Sequence, residues 1–263
     1  MIKKNHKNLL SKNQKDHIKV LEGNVFEINN YPSFRLLIKG LENILIKYDF
    51  PDKKVCILER TKLYGTSLFG GLFQEAETCS FDCSPKSALQ RGSYNSYMVN
   101  DENFIKYNDI ISISQNKLFK LPRDEFDVIF IPNLIHHFRD QNKLFSECFE
   151  SLKDQGELVI FEPTFREVHQ APHDYIRYTP YGIKQIFEDF LFKNIECEEI
   201  GDSFEAITYI INVMMAKRED SEFLKWCQDL KKNINIFKKG KIDIVKDHAR
   251  FPNAFLCSGI KYV

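Results

Sequence analysis

The segment 126–163 constrains the fold more than any other part of the chain, because its pattern is strand, amphipathic helix, glycine turn and strand. The apolar run 128–131 predicts a buried strand, and 158–161 predicts a second one. The helix between them is predicted from apolar residues spaced by three and four, which are Leu144, Phe145, Cys148, Phe149 and Leu152. Asp154-Gln155-Gly156 is expected to end that helix. A βαβ unit of this kind indicates a parallel sheet.

Polar side chains follow both predicted strands. Asn133, His136 and His137 come after the first strand, and Glu162 ends the second. In open α/β sheets, ligands bind beyond the carboxyl ends of the strands. We therefore expect a binding site at this edge of the sheet.

The same segment resembles the class I S-adenosylmethionine-dependent methyltransferases. Their fourth and fifth strands commonly have the patterns FDxIxxxxxxHHF and LKxGGxLxIxEP, and this chain has FDVIFIPNLIHHF and LKDQGELVIFEP. The resemblance extends in weaker form from about residue 53 to residue 192. It implies an α/β fold with a Rossmann-like sheet of seven strands and helices on both faces. It also implies S-adenosylmethionine as the cofactor.

The other elements are predicted from apolar runs and turn signals. Strands are expected at 55–58, 78–81, 195–200 and 255–262, and the third strand is either 104–107 or 110–113. Helices are expected to begin at Tyr31-Pro32-Ser33 and at Thr179-Pro180, a capping residue followed by proline. We divide the chain into an N-terminal helical extension, 1–50, and a methyltransferase-like domain, 51–263. A helical insertion at about 204–240, before the last strand, is predicted to be a lid or a dimer element.

The loop after the first strand departs from the family pattern. The family has an acidic residue followed by Gly-x-Gly-x-Gly, because glycine lets the backbone approach a ligand closely. Glu59 matches the acidic position and Gly65 is the surviving glycine, whereas Arg60 and Lys62 stand near two of the other glycine positions. Two explanations stay open: the loop follows another backbone path around the methionine moiety, or the cofactor site is impaired.

Further cofactor contacts are implied by the resemblance at later strand ends. Asp82 lies in SFDCSP, which is similar to the family's VDxSP, so its carboxylate is expected to accept hydrogen bonds from both ribose hydroxyls. Asp109 is a candidate acceptor for the adenine amino group, with Asn108 and Ser114 as rivals. Asn133 is expected beside the methionine portion or the adenine. The full set of predicted cofactor contacts is Glu59, Gly65, Asp82, Cys83, Asp109 and Asn133.

Histidines are the candidate catalytic residues. His136 and His137 leave strand four together, so one is expected to cap the following helix and the other to face the acceptor. Histidine is suited to act as a general base near neutral pH, and His169 is a further candidate. Methyl transfer is an in-line displacement, so alignment supplies much of the rate and a base is not obligatory.

The loop after strand five is rich in arginine, histidine and tyrosine and lies at the same edge. Its end, DYIRYTP, resembles the DYxRxTP of small-molecule methyltransferases from bacterial surface-sugar gene clusters. The guanidinium of Arg166 suits a phosphate or carboxylate, while Tyr175 and Arg177 either bind substrate or anchor the loop. A second patch is RGSYN, after strand two. The predicted substrate contacts are Arg91, Tyr94, Arg166, His173, Tyr175 and Arg177.

No metal site is predicted. Cys79 and Cys83 have a CxxxC spacing without a second pair to complete a zinc site. His169 and His173 would lie on the same face only if this segment were a helix, and Pro172 disfavours a helix.

Composition narrows the class of protein. The chain has 37 basic and 37 acidic residues, so it has no net positive charge that would indicate nucleic-acid binding. No apolar run approaches the roughly 20 residues that span a bilayer, and the N-terminus lacks the apolar core of a signal peptide. The 7 cysteines are an odd number and several lie in apolar runs, which predicts reduced thiols in a cytoplasmic protein.

These observations favour an enzyme that transfers a methyl group from S-adenosylmethionine to an oxygen, or less favourably a nitrogen, of a small polar metabolite. A sugar- or phosphate-bearing acceptor, including an anionic one, is expected, with surface polysaccharide biosynthesis as a setting. The rival hypothesis is a methyltransferase-like binding or scaffold protein without catalysis, which the altered glycine loop favours. A nucleic-acid methyltransferase is disfavoured, because IPNL after strand four is not the Asn/Asp-Pro-Pro-aromatic motif.

Overall fold

The structure is a computed structural model. It describes residues 10–20, 41–42, 44–59, 69–83, 109–110, 120–168, 171–215, 218–239 and 251–263. The predicted site residues Gly65, Arg91, Tyr94 and His169 lie outside the described residues, and Asp82 and Asp109 are described by their backbone.

The described elements alternate strands and helices through the centre of the chain. The strands are β1 Lys54–Glu59, β2 Glu77–Asp82, β3 Asp109–Ile110, β4 Phe126–Pro132, β5 Leu152–Pro163, β6 Lys193–Ile200 and β7 Ala254–Ile260. The helices are α1 Lys12–Val20, α2 Gln141–Ser151, α3 Pro180–Asp189, α4 Ser203–Met215 and α5 Ser221–Lys239, and residues 41–42 and 44–48 are also helical. Among these helices, none has both the length and the apolar character that a bilayer span requires.

The strands form one mixed sheet in the order β3-β2-β1-β4-β5-β7-β6. The strands from β3 to β5 in this order are parallel, and β7 is antiparallel to both β5 and β6. Six strands have six to twelve residues, and β3 has two. The mixed α/β fold is thus confirmed, and the carboxyl ends of the parallel strands meet at one edge.

Two predicted strand boundaries were wrong. β5 begins at Leu152, directly after α2, because Leu152 pairs with Phe126 before the register shifts to Val128 opposite Glu157. The predicted turn therefore lies inside the strand as an irregularity, with Gln155 at a φ of 61°. The third strand begins at Asp109, one residue before the alternative 110–113, so Asp109 lies within the strand instead of after it. Residues 111–113 and the other alternative, 104–107, lie outside the described residues.

Alternate residues of the central strands enter two apolar clusters, one on each face of the sheet. Val55, Val128 and Val159 pack with helical residues on one face, namely Leu41, Ile44, Leu45 and Tyr48. Cys56, Ile129 and Leu158 and their neighbours pack with α2 and α3 on the other face. Burial on both faces explains why β4 and β5 are continuous apolar runs.

Capping side chains position the two helices that flank the edge. Asp140 caps α2 by accepting from Lys143 N–H at 2.9 Å, and Thr179 caps α3 by accepting from Gly182 N–H at 3.0 Å. The cap predicted at Thr179-Pro180 is therefore confirmed. The expectation that a histidine caps α2 was wrong, because Asp140 occupies the capping position.

Candidate cofactor and acceptor site

The ends of β1 and β2 bring two predicted cofactor residues together. Glu59 and Asp82 are register partners, and the N–H of Cys83 donates to the Glu59 carbonyl oxygen at 2.8 Å. The Glu59 side chain is buried, with 1% exposure. Asp109 of β3 pairs with Phe81 of β2, the residue before Asp82. Two adjacent acidic residues at strand ends fit a ligand with hydroxyl and amino donors.

A left-handed residue turns the chain at the end of β4. Asn133 has a φ of 55° and its N–H donates to the carbonyl oxygen of Phe161 at 2.7 Å. Asparagine tolerates this conformation better than most residues. The turn therefore holds Asn133 beside the end of β5, where Glu162 lies.

Glu162 connects the ends of β4 and β5. Its carboxylate accepts from the N–H of Ile135 at 3.1 Å and from the N–H of His136, and it is hydrogen-bonded to Nδ1 of the His136 ring. Both side chains are completely buried. Burial raises the pKa of Glu162 to about 8, although the charges of Arg177 and Arg166 and the backbone donors oppose this increase. The sequence pattern indicated this residue only as an acid at the end of an apolar strand, and gave it no role.

The two histidines link the loop after β4 to the loop after β5. Their rings lie 3.9 Å apart between centroids, and neither side chain is exposed. Nδ1 of His137 is hydrogen-bonded to the carbonyl oxygen of His173, and the N–H of Tyr175 donates to the carbonyl oxygen of His136 at 2.9 Å. Both imidazoles are thus held inside the edge of the sheet, and a catalytic base at either position stays a prediction.

The first half of the loop after β5 contacts helix α4. The Glu167 carboxylate accepts a hydrogen bond from the hydroxyl of Tyr209, and the rings of Phe165 and Tyr209 meet edge to face with centroids 6.2 Å apart. Arg166 is 12% exposed, and its Nε lies 3.7 Å from Oε1 of Glu167. The contact places α4, part of the predicted insertion, against the predicted acceptor loop.

The second half of the loop is braced by its own side chains. Arg177 forms a two-pronged ion pair with Asp174, with a distance of 2.9 Å to Oδ2, and donates to the carbonyl oxygen of Ile176 at 2.9 Å. Nδ1 of His173 lies 2.9 Å from the hydroxyl of Tyr175, whose side chain is exposed. The anchoring alternative for Arg177 therefore has direct contacts, and the substrate roles of His173, Tyr175 and Arg177 stay predictions.

Tyr178 lies near Glu162, and no role was predicted for it from the sequence. Burial and the negative charge of Glu162 raise the pKa of its phenol to about 12, so the hydroxyl is neutral at physiological pH. Its position between an arginine-rich loop and a helix cap was the available signal.

In the described part of the chain, no group of three or more His, Cys, Asp and Glu side chains could hold a metal ion.

Comparison with known proteins finds one family match, in the centre of the chain. Residues 76–160, which include the ends of β2 and β4, match the protein-family model described as a methyltransferase domain. No curated protein matches the sequence.

A solved enzyme, seen in two complexes, shares the fold. A phosphoethanolamine N-methyltransferase of Haemonchus contortus, in complex with S-adenosyl-L-methionine, has 17% identity and a TM-score of 0.50 over 99% of this chain and 61% of that chain. The same enzyme with phosphomonomethylethanolamine and S-adenosylhomocysteine has 15% identity and a TM-score of 0.50, with the same coverage. A SAM-dependent methyltransferase of Archaeoglobus fulgidus has 19% identity and a TM-score of 0.45 over 86% of this chain and 94% of that chain.

The residues that match the methyltransferase model include the ends of β2 and β4 and therefore Asp82, Asn133 and His136. The family match supports an enzyme of the methyltransferase kind.

Proposed function

We propose that the protein transfers a methyl group from S-adenosylmethionine to an oxygen of a small, polar, sugar- or phosphate-bearing metabolite. The observation that carries this proposal is the buried contact between Glu162 and His136. This contact joins the end of β5, after which Arg166 lies, to the turn after β4, and β4 is the neighbour of β1, which ends at Glu59. Surface polysaccharide biosynthesis in the cytoplasm is the setting that we propose.

The cofactor would lie along the ends of β1, β2 and β4. Asp82 would accept the ribose hydroxyls, with Glu59 directly beside it in register. Asn133 would flank the methionine portion, and Cys83, Asp109 and Gly65 complete the proposed set. The bound cofactor supplies the reactive methyl group on its sulfonium, and the protein's own residues orient the two reactants.

The acceptor would lie under the loop after β5. Arg166 is mostly buried yet close to this edge, and its guanidinium can pair with a phosphate or carboxylate. His173 and Tyr175 form a hydrogen-bonded pair that would contact the acceptor's polar groups. Arg177, Arg91 and Tyr94 are further proposed contacts. Among the predicted bases, His136 and His137 have buried rings, so either one would meet the acceptor only where the acceptor excludes water from the site. His169 is the third candidate.

Helix α4 supports a lid role for the proposed insertion at about 204–240. Tyr209 contacts Glu167 and Phe165, so a displacement of α4 would move the acceptor loop. A homodimer through this segment is the alternative that we retain, and the division at residue 50 is likewise a proposal.

Nitrogen is the second candidate acceptor atom. The Haemonchus contortus enzyme that shares the fold is named as an N-methyltransferase of phosphoethanolamine, a small phosphate-bearing amine. A guanidinium at Arg166 would pair with a phosphate in either case. The sequence favours oxygen, because the loop resembles that of surface-sugar methyltransferases.

Transfer of radiolabelled methyl groups tests the proposal. The full-length protein would be incubated with methyl-labelled S-adenosylmethionine and separate pools of nucleotide sugars, sugar phosphates, amino sugars and phosphorylated amines. Label in a sugar or sugar-phosphate pool is the expected result, and label confined to the amines would move the acceptor to nitrogen. Cofactor binding without transfer to any pool would favour the scaffold alternative.

A further inference from the structure

Two cysteines face each other at the far edge of the sheet. Cys197 of β6 and Cys257 of β7 are direct register partners in an antiparallel pair. Both belong to the apolar face that α3 covers, with Cys257 buried and Cys197 half-buried. β6 is the terminal strand of the described sheet, so it has a ladder partner on one side.

A cavity of about 290 Å³ opens onto one member of this pair. Its lining residues are Pro180, Tyr181, Lys184, Cys197 and Glu199. A small polar molecule can therefore reach Cys197, whereas Cys257 is buried and does not line the cavity. The ammonium of Lys184 in the same cavity favours a negative charge on an accessible sulfur.

The two cysteines have pKa values shifted in opposite directions. The hydrogen bond from the Cys257 thiol lowers the pKa of Cys197, and the charge of Lys184 lowers it further, whereas burial and the charge of Glu199 oppose this decrease. The same contact and burial raise the pKa of Cys257. Deprotonation is therefore favoured at the accessible sulfur over the buried one.

We propose that Cys197 and Cys257 form a peroxide-responsive thiol pair, in which Cys197 attacks the oxidant and Cys257 resolves the product. The Cys197 thiolate takes one oxygen from hydrogen peroxide, and with one proton the other oxygen leaves as water, giving a sulfenic acid. The Cys257 sulfur then bonds to the Cys197 sulfur, and its proton leaves with the hydroxyl as a second water. Two thiols are oxidised to one disulfide and one peroxide is reduced to two waters.

The strand geometry permits this bond. Directly opposite residues of antiparallel strands have Cβ atoms about 4.5–5.5 Å apart, and a disulfide needs about 3.5–4.5 Å. The strands must therefore approach by about 1 Å. As a terminal strand with a register irregularity between Lys193 and Glu196, β6 can make this shift more easily than an interior strand.

The chain contains a matched comparison pair. Cys56 of β1 and Cys79 of β2 are also register partners, but both strands are interior in the described sheet. Cys56 is completely buried, and burial and the neighbouring thiols raise its pKa. We expect this pair to stay reduced under conditions that oxidise the first.

Peptide mapping of the full-length protein tests the proposal. Reduced protein is treated with a few equivalents of hydrogen peroxide, denatured, alkylated and digested with trypsin. Trypsin releases peptides 194–217 and 251–261, each with one cysteine. The expected result is a disulfide between these two peptides, with loss of two of the seven free thiols. Cys197→Ser should abolish the link, and Cys79→Ser should leave it unchanged.

Two other outcomes would overturn the proposal. One is oxidation of Cys197 to sulfinic acid with Cys257 still alkylated, and the other is a Cys56–Cys79 link that forms at least as fast. A second measurement does not depend on any variant. In the native reduced protein at neutral pH, iodoacetamide should label Cys197 at least about tenfold faster than Cys257, because the thiolate is the reactive form, and equal rates would contradict the assigned roles.

Discussion

The carboxylate of Glu162, at the end of β5, is hydrogen-bonded to the imidazole of His136, in the turn after β4, with neither side chain exposed. The same carboxylate accepts the N–H of Ile135 at 3.1 Å. Since β4 and β5 are neighbouring parallel strands, this contact fixes the relative position of the two loops that follow them. The proposed acceptor loop is thereby held beside the proposed cofactor edge.

Glu162→Gln should change how stability depends on pH. The pKa of Glu162 is raised from 4.5 to about 8, with burial as the main cause, so between these values the folded protein holds a proton that the unfolded chain releases. The contribution of Glu162 to the free energy of unfolding therefore falls as pH rises through this window, by up to about 1.4 kcal/mol per pH unit. The amide that replaces the carboxyl group cannot titrate, so urea unfolding should show a shallower decline for the variant between about pH 5 and 8.

Glu147→Gln is the matched control, and its effect should have the opposite sign. Burial raises the pKa of Glu147, but Lys143, the N–H of Leu121 and the charge of Arg123 outweigh burial and lower it. Its stabilising contribution is present above pH 4.5 and is lost as pH falls through the lowered pKa. If both variants had the same pH dependence as the unchanged protein, the assigned ionisation of Glu162 would be wrong.

The strands and caps at this edge could be predicted because their signals are local. Burial on both faces makes β4 and β5 continuous apolar runs, and Thr179-Pro180 marks the start of α3 by its own chemistry. The early start of β5 could not be predicted, because Leu152 extends the strand only through its partner Phe126. An isolated sequence segment does not reveal which residues lie opposite it.

The same limitation applies to the candidate site. Asn133, His136 and Glu162 could be placed at one edge from strand ends alone. The contact between Glu162 and His136 depends on the register of β4 against β5, and the contact of Tyr209 with Glu167 depends on how α4 packs. These are long-range features, so the sequence indicated the edge but not its internal hydrogen bonds.

Asp82→Ala should weaken cofactor binding with little effect on folding. Loss of a carboxylate that is bonded to two hydroxyls costs about 2–3 kcal/mol, which is roughly a 30- to 150-fold increase in the dissociation constant. Asp52→Ala is the control, because Asp52 is exposed and precedes the opposite end of β1. Thermal-shift titration with S-adenosylhomocysteine gives both constants, and equal affinities of the two variants would show that the ribose lies elsewhere.

Arg166→Ala should weaken acceptor binding while leaving cofactor affinity unchanged. Charge-assisted hydrogen bonds to an anionic group contribute about 1.5–3 kcal/mol, so KM should rise by roughly 10- to 150-fold. Arg123→Ala removes the same charge at the other end of β4, where Arg123 pairs with Glu147 at 3.3 Å, and should leave KM unchanged. Steady-state kinetics with an identified acceptor would refute the role of Arg166 if KM stayed within about twofold.

Replacement of the base histidine should lower turnover and remove an acidic limb near about pH 6–7 from the rate profile. His136→Asn and His137→Asn are compared in parallel, because both rings are buried at the same edge. A purely structural histidine would lower stability without changing the shape of the profile. If both variants kept the acidic limb, neither residue would be the base, and His169 would be the next candidate.

Calorimetric titration of the full-length protein with S-adenosylmethionine tests the central claim most directly. The edge formed by Glu59, Asp82 and Asn133 is expected to bind the cofactor although Arg60 and Lys62 stand near glycine positions of the family. We expect saturable binding of one molecule per chain, and weaker binding by Asp82→Ala. No heat of binding at millimolar cofactor, with a folded protein, would contradict it.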